Sequence, residues 1–207
     1  DSFTGFKVMT HSYLFQLIWN DSISNIFYTK YYTETPNPER VRAFLNDNSL
    51  FKVKYLSAES SVYEKTQKKG KYSRTGLLEM ITRRSIDRNI AELQSKNEPF
   101  KIKTPIMGIE YNAKGKLLGY RALVGQKEGV KEGLKYEVLE TVINAKGKVT
   151  YNRIATIKPV NNQIWDNRFN ALMENNVDGI EGTLFTLVGT ATKAIQPGML
   201  IREQKTN

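Results

Sequence analysis

The 207-residue chain contains no cysteine. Disulfides, zinc–thiolate centres and cysteine nucleophiles are therefore excluded. The compartment stays open, because a reducing cytosol and an oxidising envelope both suit a cysteine-free protein. Histidine is nearly as scarce, with His11 alone in the chain. A general base needs an orienting group and a nucleophile beside it. The sequence supplies neither, so His11 is expected to be a packed or hydrogen-bonded core side chain within a strand. Long apolar runs are missing too. The most apolar stretch, Tyr13 to Trp19, is seven residues and contains Gln16, against the roughly 20 residues that cross a bilayer as a helix. No glycine-rich phosphate loop of the GxGxxG or GxxxxGK(S/T) type occurs. Ser49-Leu50-Phe51-Lys52 has the serine-x-x-lysine spacing of acyl-serine enzymes, but the Ser-Asp-Asn and Lys-Thr-Gly elements that go with it are absent. Asp178 and Glu181 lack calcium-loop spacing and read as a solvated turn. No cofactor is implied, and the chain reads as a non-enzyme, with a hydrolase the weakest alternative.

What the chain does have is positive charge, a formal +10. Up to residue 105 there are 17 basic and 11 acidic residues, and beyond it 14 and 10. The excess is therefore spread over both halves and is no tail. Such a field favours anionic partners, whether nucleic acid, anionic lipid or an acidic polymer, or is simply a solvated lysine-rich surface. Apolar residues make up 40% and charged residues 25%, the shares of an ordinary globular domain with a core.

Alternation from Phe6 to Trp19 predicts a strand, with Met9, His11, Tyr13, Phe15, Leu17 and Trp19 on the expected core face. Asn20-Asp21-Ser22 caps an amphipathic helix through Ile23, Ile26, Phe27, Lys30 and Tyr31. Asn37-Pro38 opens a second helix with Val41, Phe44 and Leu45 as its stripe. Phe51 to Leu56 reads as a strand. A turn around Ser57 to Ser61 leads to a short strand at Val62-Tyr63. The longest helix is expected from Thr75 to Lys96, with Leu78, Ile81, Ile86, Ile90 and Leu93 inside. Phe100 to Thr104 is an edge strand or a linker, and the domain boundary is placed at residue 105.

Beyond it the pattern is strands and glycine turns. Val130-x-x-Gly133-Leu134-x-Tyr136 and Ile195-x-x-Gly198-Met199-x-Ile201 are built alike, each a turn entering a strand with one buried face. Asn112-Ala113-Lys114-Gly115-Lys116 recurs at Asn144 to Lys148. Both are hairpin loops with glycine at the positive-φ position, either a duplicated hairpin or two solutions to one turn problem. Strands are expected near 118–124, 135–142, 149–159, 182–190 and 199–202, with Gln163 to Asn176 as a short helix plugging an open end. The expected fold is α+β: residues 1–105 as strands packed with three helices, then 106–207 as a small SH3-like β-barrel.

The one local functional signal is a basic loop. Lys65, Lys68, Lys69, Lys71 and Arg74 fall within ten residues, with Tyr72 among them and Arg83, Arg84 and Arg88 following on the helix. Cations neutralise phosphates and an aromatic ring stacks on a base, so these are the anion-binding candidates for nucleic acid, lipid headgroups or another anionic polymer.

Gly133 to Val138 and Ile195 to Arg202 resemble the strand-opening phrases of small C-terminal barrels in bacterial envelope assembly proteins, such as flagellar assembly protein T. The chain as a whole resembles uncharacterised secreted or envelope-associated proteins of the Bacteroides type. The resemblance implies an exported, non-catalytic module, periplasmic or secreted, that docks on other envelope proteins. It brings no catalytic residues. A start at Asp1 leaves room for a removed signal peptide, and a cytoplasmic location also stays open.

Overall fold

Among the described residues seven glycines adopt positive φ, and several of them sit where the sequence places turns. Gly133 and Gly198, at φ +82° and +88°, lead into two strands that then pair, with Val138 opposite Ile201. The structure is a computed structural model that describes residues 3–68, 72–145, 147–171 and 181–204. Among those residues it holds three α-helices and eight strands in two sheets. The chain divides into two compact units: Tyr13–Ala58, and the remainder.

In the larger unit six strands form a closed ring. They are β3 (Lys103–Tyr111), β4 (Leu117–Ala122), β5 (Tyr136–Ile143), β6 (Val149–Pro159), β7 (Thr183–Val188) and β8 (Leu200–Glu203). Their order around the ring is β3-β4-β7-β6-β5-β8, all antiparallel. The expected boundary at residue 105 falls inside β3. The core includes Ile106, Tyr120, Tyr136, Val138, Ile157, Phe185 and Ile201, with Val130 and Ile195 from the twin phrases. Tyr136 meets Phe185 edge to face at 5.1 Å between centroids.

The two identical pentapeptides close the β3–β4 and β5–β6 hairpins in the same way. In each, the asparagine backbone N–H donates to the carbonyl of the final lysine, at 2.8 Å from Asn112 and 3.0 Å from Asn144. Each asparagine Oδ1 accepts from that lysine's backbone N–H, at 2.9 and 3.0 Å. Gly115 and Gly147 take φ of +73° and +72°, a region that costs other L-residues about 1–2 kcal/mol.

The other sheet is a ribbon of β1 (Phe3–Leu17) and β2 (Val53–Lys68), and here several expectations fail. β2 is a single strand of 16 residues. The turn expected at Ser57 to Ser61 is absent, and Lys65 and Lys68 belong to the strand rather than to a loop. Ser-Ala-Glu-Ser-Ser reads as a turn by composition, yet Ser61 is buried against α3 (Arg74–Lys96), its hydroxyl donating to the Ser85 carbonyl at 2.8 Å. β1 also presents the opposite face to the one expected. Phe6 and Val8 pack on Leu77, Met80 and Ile81 of α3. Thr10 hydrogen-bonds Ser61 and Ser85, and the Asn89 amide donates to Thr10 and Ser12. A hydroxyl cluster that satisfies itself is buried at little cost, so a hydrophobicity count picks the wrong face. Met9, Tyr13, Phe15 and Leu17 are exposed.

Helix α3 begins at Arg74, with the Ser73 hydroxyl accepting from the Gly76 N–H. Its buried face is Leu77, Met80, Ile81, Arg84, Ser85, Asn89, Ala91 and Leu93. Leu78, Ile86 and Ile90, expected inside, are exposed. Phe169, expected in a plug, instead packs on the Leu77–Ile81 cluster. Leu172 and Met173 lie outside the described residues.

In the smaller unit, Asn20 and Asn37 cap as expected, accepting from Ile23, and from Glu39 and Arg40. The first helix, α1 (Asp21–Ile26), runs on as a π-helical turn over Phe27–Tyr31, and α2 spans Pro38–Asn46.

Candidate functional site

Among the described residues the anion-binding candidates stand on different elements. Lys65 and Lys68 stand on β2, and each already has an interaction partner. Lys69 and Lys71 lie outside the described residues. Arg74 is the first residue of α3, its guanidinium 5.5 Å from the Phe6 ring centroid. Arg83 pairs with Glu79 one turn back at 2.8 Å and sits 4.5 Å from the Phe169 ring. Arg84, expected on the outer side of the helix, is only 4% exposed. Its Nε and Nη2 donate to the Phe169 carbonyl at 3.1 and 2.8 Å. A guanidinium has five donors and a long apolar stem, so a position that binds backbone inside the fold looks identical, in sequence, to one that binds phosphate outside it. Arg88 is exposed and makes no ion pair among the described residues.

Arg88 opens onto a cleft of about 590 Å³ in the larger unit, between α3, the turn at 126–132 and the segment at 162–168. The turn is held tightly. The Glu128 carboxylate accepts from the Gly125 N–H at 2.8 Å and from the Asn167 amide at 2.7 Å. Gly129, at φ +85°, lets the turn approach α3: an added Cβ would lie 3.3 Å from the Ala91 Cβ. The cleft's walls carry Arg88, Lys127 and Lys131, and equally Asp87, Glu92 and Glu132. Arg168 at its edge is paired with Asp166 through two bonds, 2.8 and 2.7 Å. That bond holds the Asp166 carboxyl below the usual carboxylate range and raises Arg168. The cleft is thus zwitterionic.

Catalytic chemistry needs converging groups. His11 lies on the open face of the ribbon rather than in a core, its Nδ1 2.7 Å from the Ser60 hydroxyl. Among the described residues no carboxylate contacts the ring, and a flat, exposed histidine–serine pair has no orienting group and no cleft for a substrate. No cluster of three metal-ligating side chains occurs among the described residues. No described helix is long and apolar enough to cross a membrane.

The most unusual surface is one the motif search passes over. The unit Tyr13–Ala58 holds Trp19, Phe27, Tyr31, Phe44 and Phe51 in mutual ring contact, with centroids 5.0–6.3 Å apart. Of its 46 residues only Tyr31 is buried. Its hydroxyl donates to Asp47, which together with Ser49 holds that carboxyl well below its ordinary range. Thirteen large apolar side chains of this unit are exposed, from Phe44 at 36% to Leu45 at 68%, out of 28 among the described residues. The signal was in the composition: ten of the 22 aromatic residues fall in these 46 positions. No protein-family model matches the sequence, and no curated protein matches it either.

Proposed function

We propose that the protein is a non-catalytic docking module that joins a larger assembly of the bacterial envelope through residues 13–58. The observation behind this reading is the thirteen exposed apolar side chains of that unit. The largest apolar patch on an ordinary monomer covers about 300–600 Å², and a larger one marks an interaction site. Trp, Tyr and Phe are the residues that anchor protein interfaces. On this reading the six-stranded ring is a small SH3-like barrel acting as scaffold. The envelope location, periplasmic or secreted, rests on the resemblance of the Gly133 and Gly198 phrases to small barrels of envelope assembly proteins.

The test is site-specific photo-crosslinking in the source cell, with the probe placed in turn at Tyr28, Leu45 and Tyr55, and at Ile143 on the ring as control. Protein adducts are expected at the first three positions and not at Ile143. Equal labelling at all four positions would remove the reading.

A second reading, binding of nucleic acid or another anionic polymer, is favoured by Arg88, Lys127 and Lys131, which share one cleft without ion pairs among the described residues. It predicts affinity for single-stranded DNA that falls steeply with salt and weakens when these three are changed to Gln. Binding that ignores both salt and the substitutions would exclude it.

A further inference from the structure

We infer that the partner at residues 13–58 is a second copy of this chain, the two copies meeting about a two-fold axis. The inference rests on the docking reading above and names its occupant. Three observations carry it.

The first is area. Large aromatic side chains bury on the order of 200 Å² each, so thirteen side chains left about half open expose on the order of 1,000 Å². A standard interface takes about 800 Å² from each partner. A unit of 46 residues with one buried residue is also near the size, about 40 residues, at which a chain's own core becomes marginal, and association supplies what that core lacks.

The second is charge. In a two-fold interface a patch meets itself, so any net charge it carries is repelled by its own copy. Residues 13–58 carry five basic and four acidic side chains, a net +1, and the rest of the chain carries 26 and 17, a net +9. The apolar unit is therefore the part of a strongly basic protein where two copies meet with least Coulomb repulsion. An anionic membrane or polymer would be drawn to the +9 region instead.

The third is the ribbon. Within this unit, and among the described residues, β1 and β2 pair only with each other, so each has an outer edge that no other described strand takes up. An antiparallel strand pair has a two-fold axis through its centre, so an open edge is complementary to its own copy by construction.

The test is the mass of this 207-residue chain in solution by light scattering over a concentration series, against 23.7 kDa for one copy. We expect twice that mass, falling to one chain on dilution. Leu45→Glu and Tyr28→Glu should each weaken association at least about tenfold, while Ile143→Glu on the ring should leave it unchanged. Circular dichroism identical to wild type would show that the variants fold. A protein that stays monomeric, or a dimer indifferent to Leu45→Glu and Tyr28→Glu, overturns the inference. Crosslinks from Leu45 to a different protein, on a chain that is monomeric, would reject the second copy and keep the docking reading. A monomer without crosslinks rejects both.

Discussion

The six-stranded ring and the unit at 13–58 draw on the same kinds of residue and spend them differently. The ring turns Tyr120, Tyr136 and Phe185 inward, with Phe185 fully buried. The smaller unit gathers ten aromatic residues, places nine of them in ring contact, and buries one. Aromatic contact is not aromatic burial. Edge-to-face geometry adds about 0.5–1.5 kcal/mol per pair beyond area, whereas removal from water provides most of the stabilisation. By that measure the ring is finished as it stands, and on the docking reading the smaller unit is finished by what it binds.

The contrast is sharpest under truncation. Phe185→Ala in the ring should cost about 3–5 kcal/mol, read from the urea midpoint, because the cavity is walled on all sides. A cost near 1 kcal/mol would show that the ring core is looser than its burial implies. Asn89→Ala, under the ribbon, should cost about 2–3 kcal/mol, since Thr10 and Ser12 lose a donor in a buried cluster. Leu45→Glu should change the stability of the dissociated chain by no more than about 0.5 kcal/mol, and a large loss there would mean that Leu45 is part of a core.

The smallest expected effect is one of pH. Asp47 is held ionised first by the Tyr31 hydroxyl and then by Ser49. Its folded pKa lies below the unfolded value, so it stabilises above the ordinary carboxylate range and loses that contribution as pH falls through the folded value. In Tyr31→Phe the Asp47 carboxyl should titrate closer to an ordinary aspartate by NMR. An unchanged titration would show that Ser49 and the backbone suffice.

The parts of this fold that were legible are those where one residue does one local thing. Asn37 and Asn20 cap, Gly133 and Gly198 turn, and the twin Asn-to-Lys pentapeptides close hairpins, all within a few residues of themselves. The illegible parts depend on partners distant in sequence. Thr10 and Ser61 lie 24 to 79 positions from Ser85 and Asn89, and only their meeting makes a polar face buriable. Arg84 reads as a surface cation until Phe169, 85 positions away, supplies its acceptor. The basic residues were dispersed for the same reason, since among the described residues a cluster in sequence is divided between a strand, a helix start and the two faces of a helix. The aromatic surface was countable, but a count does not tell burial from exposure.

Hydrogen exchange over a dilution series tests the central claim most directly. The account predicts that amides within 13–58 lose protection as the protein is diluted, while those of β5, β6 and β7 keep theirs throughout. Protection in 13–58 that is high and independent of concentration would contradict it, because the unit would then be complete without a partner.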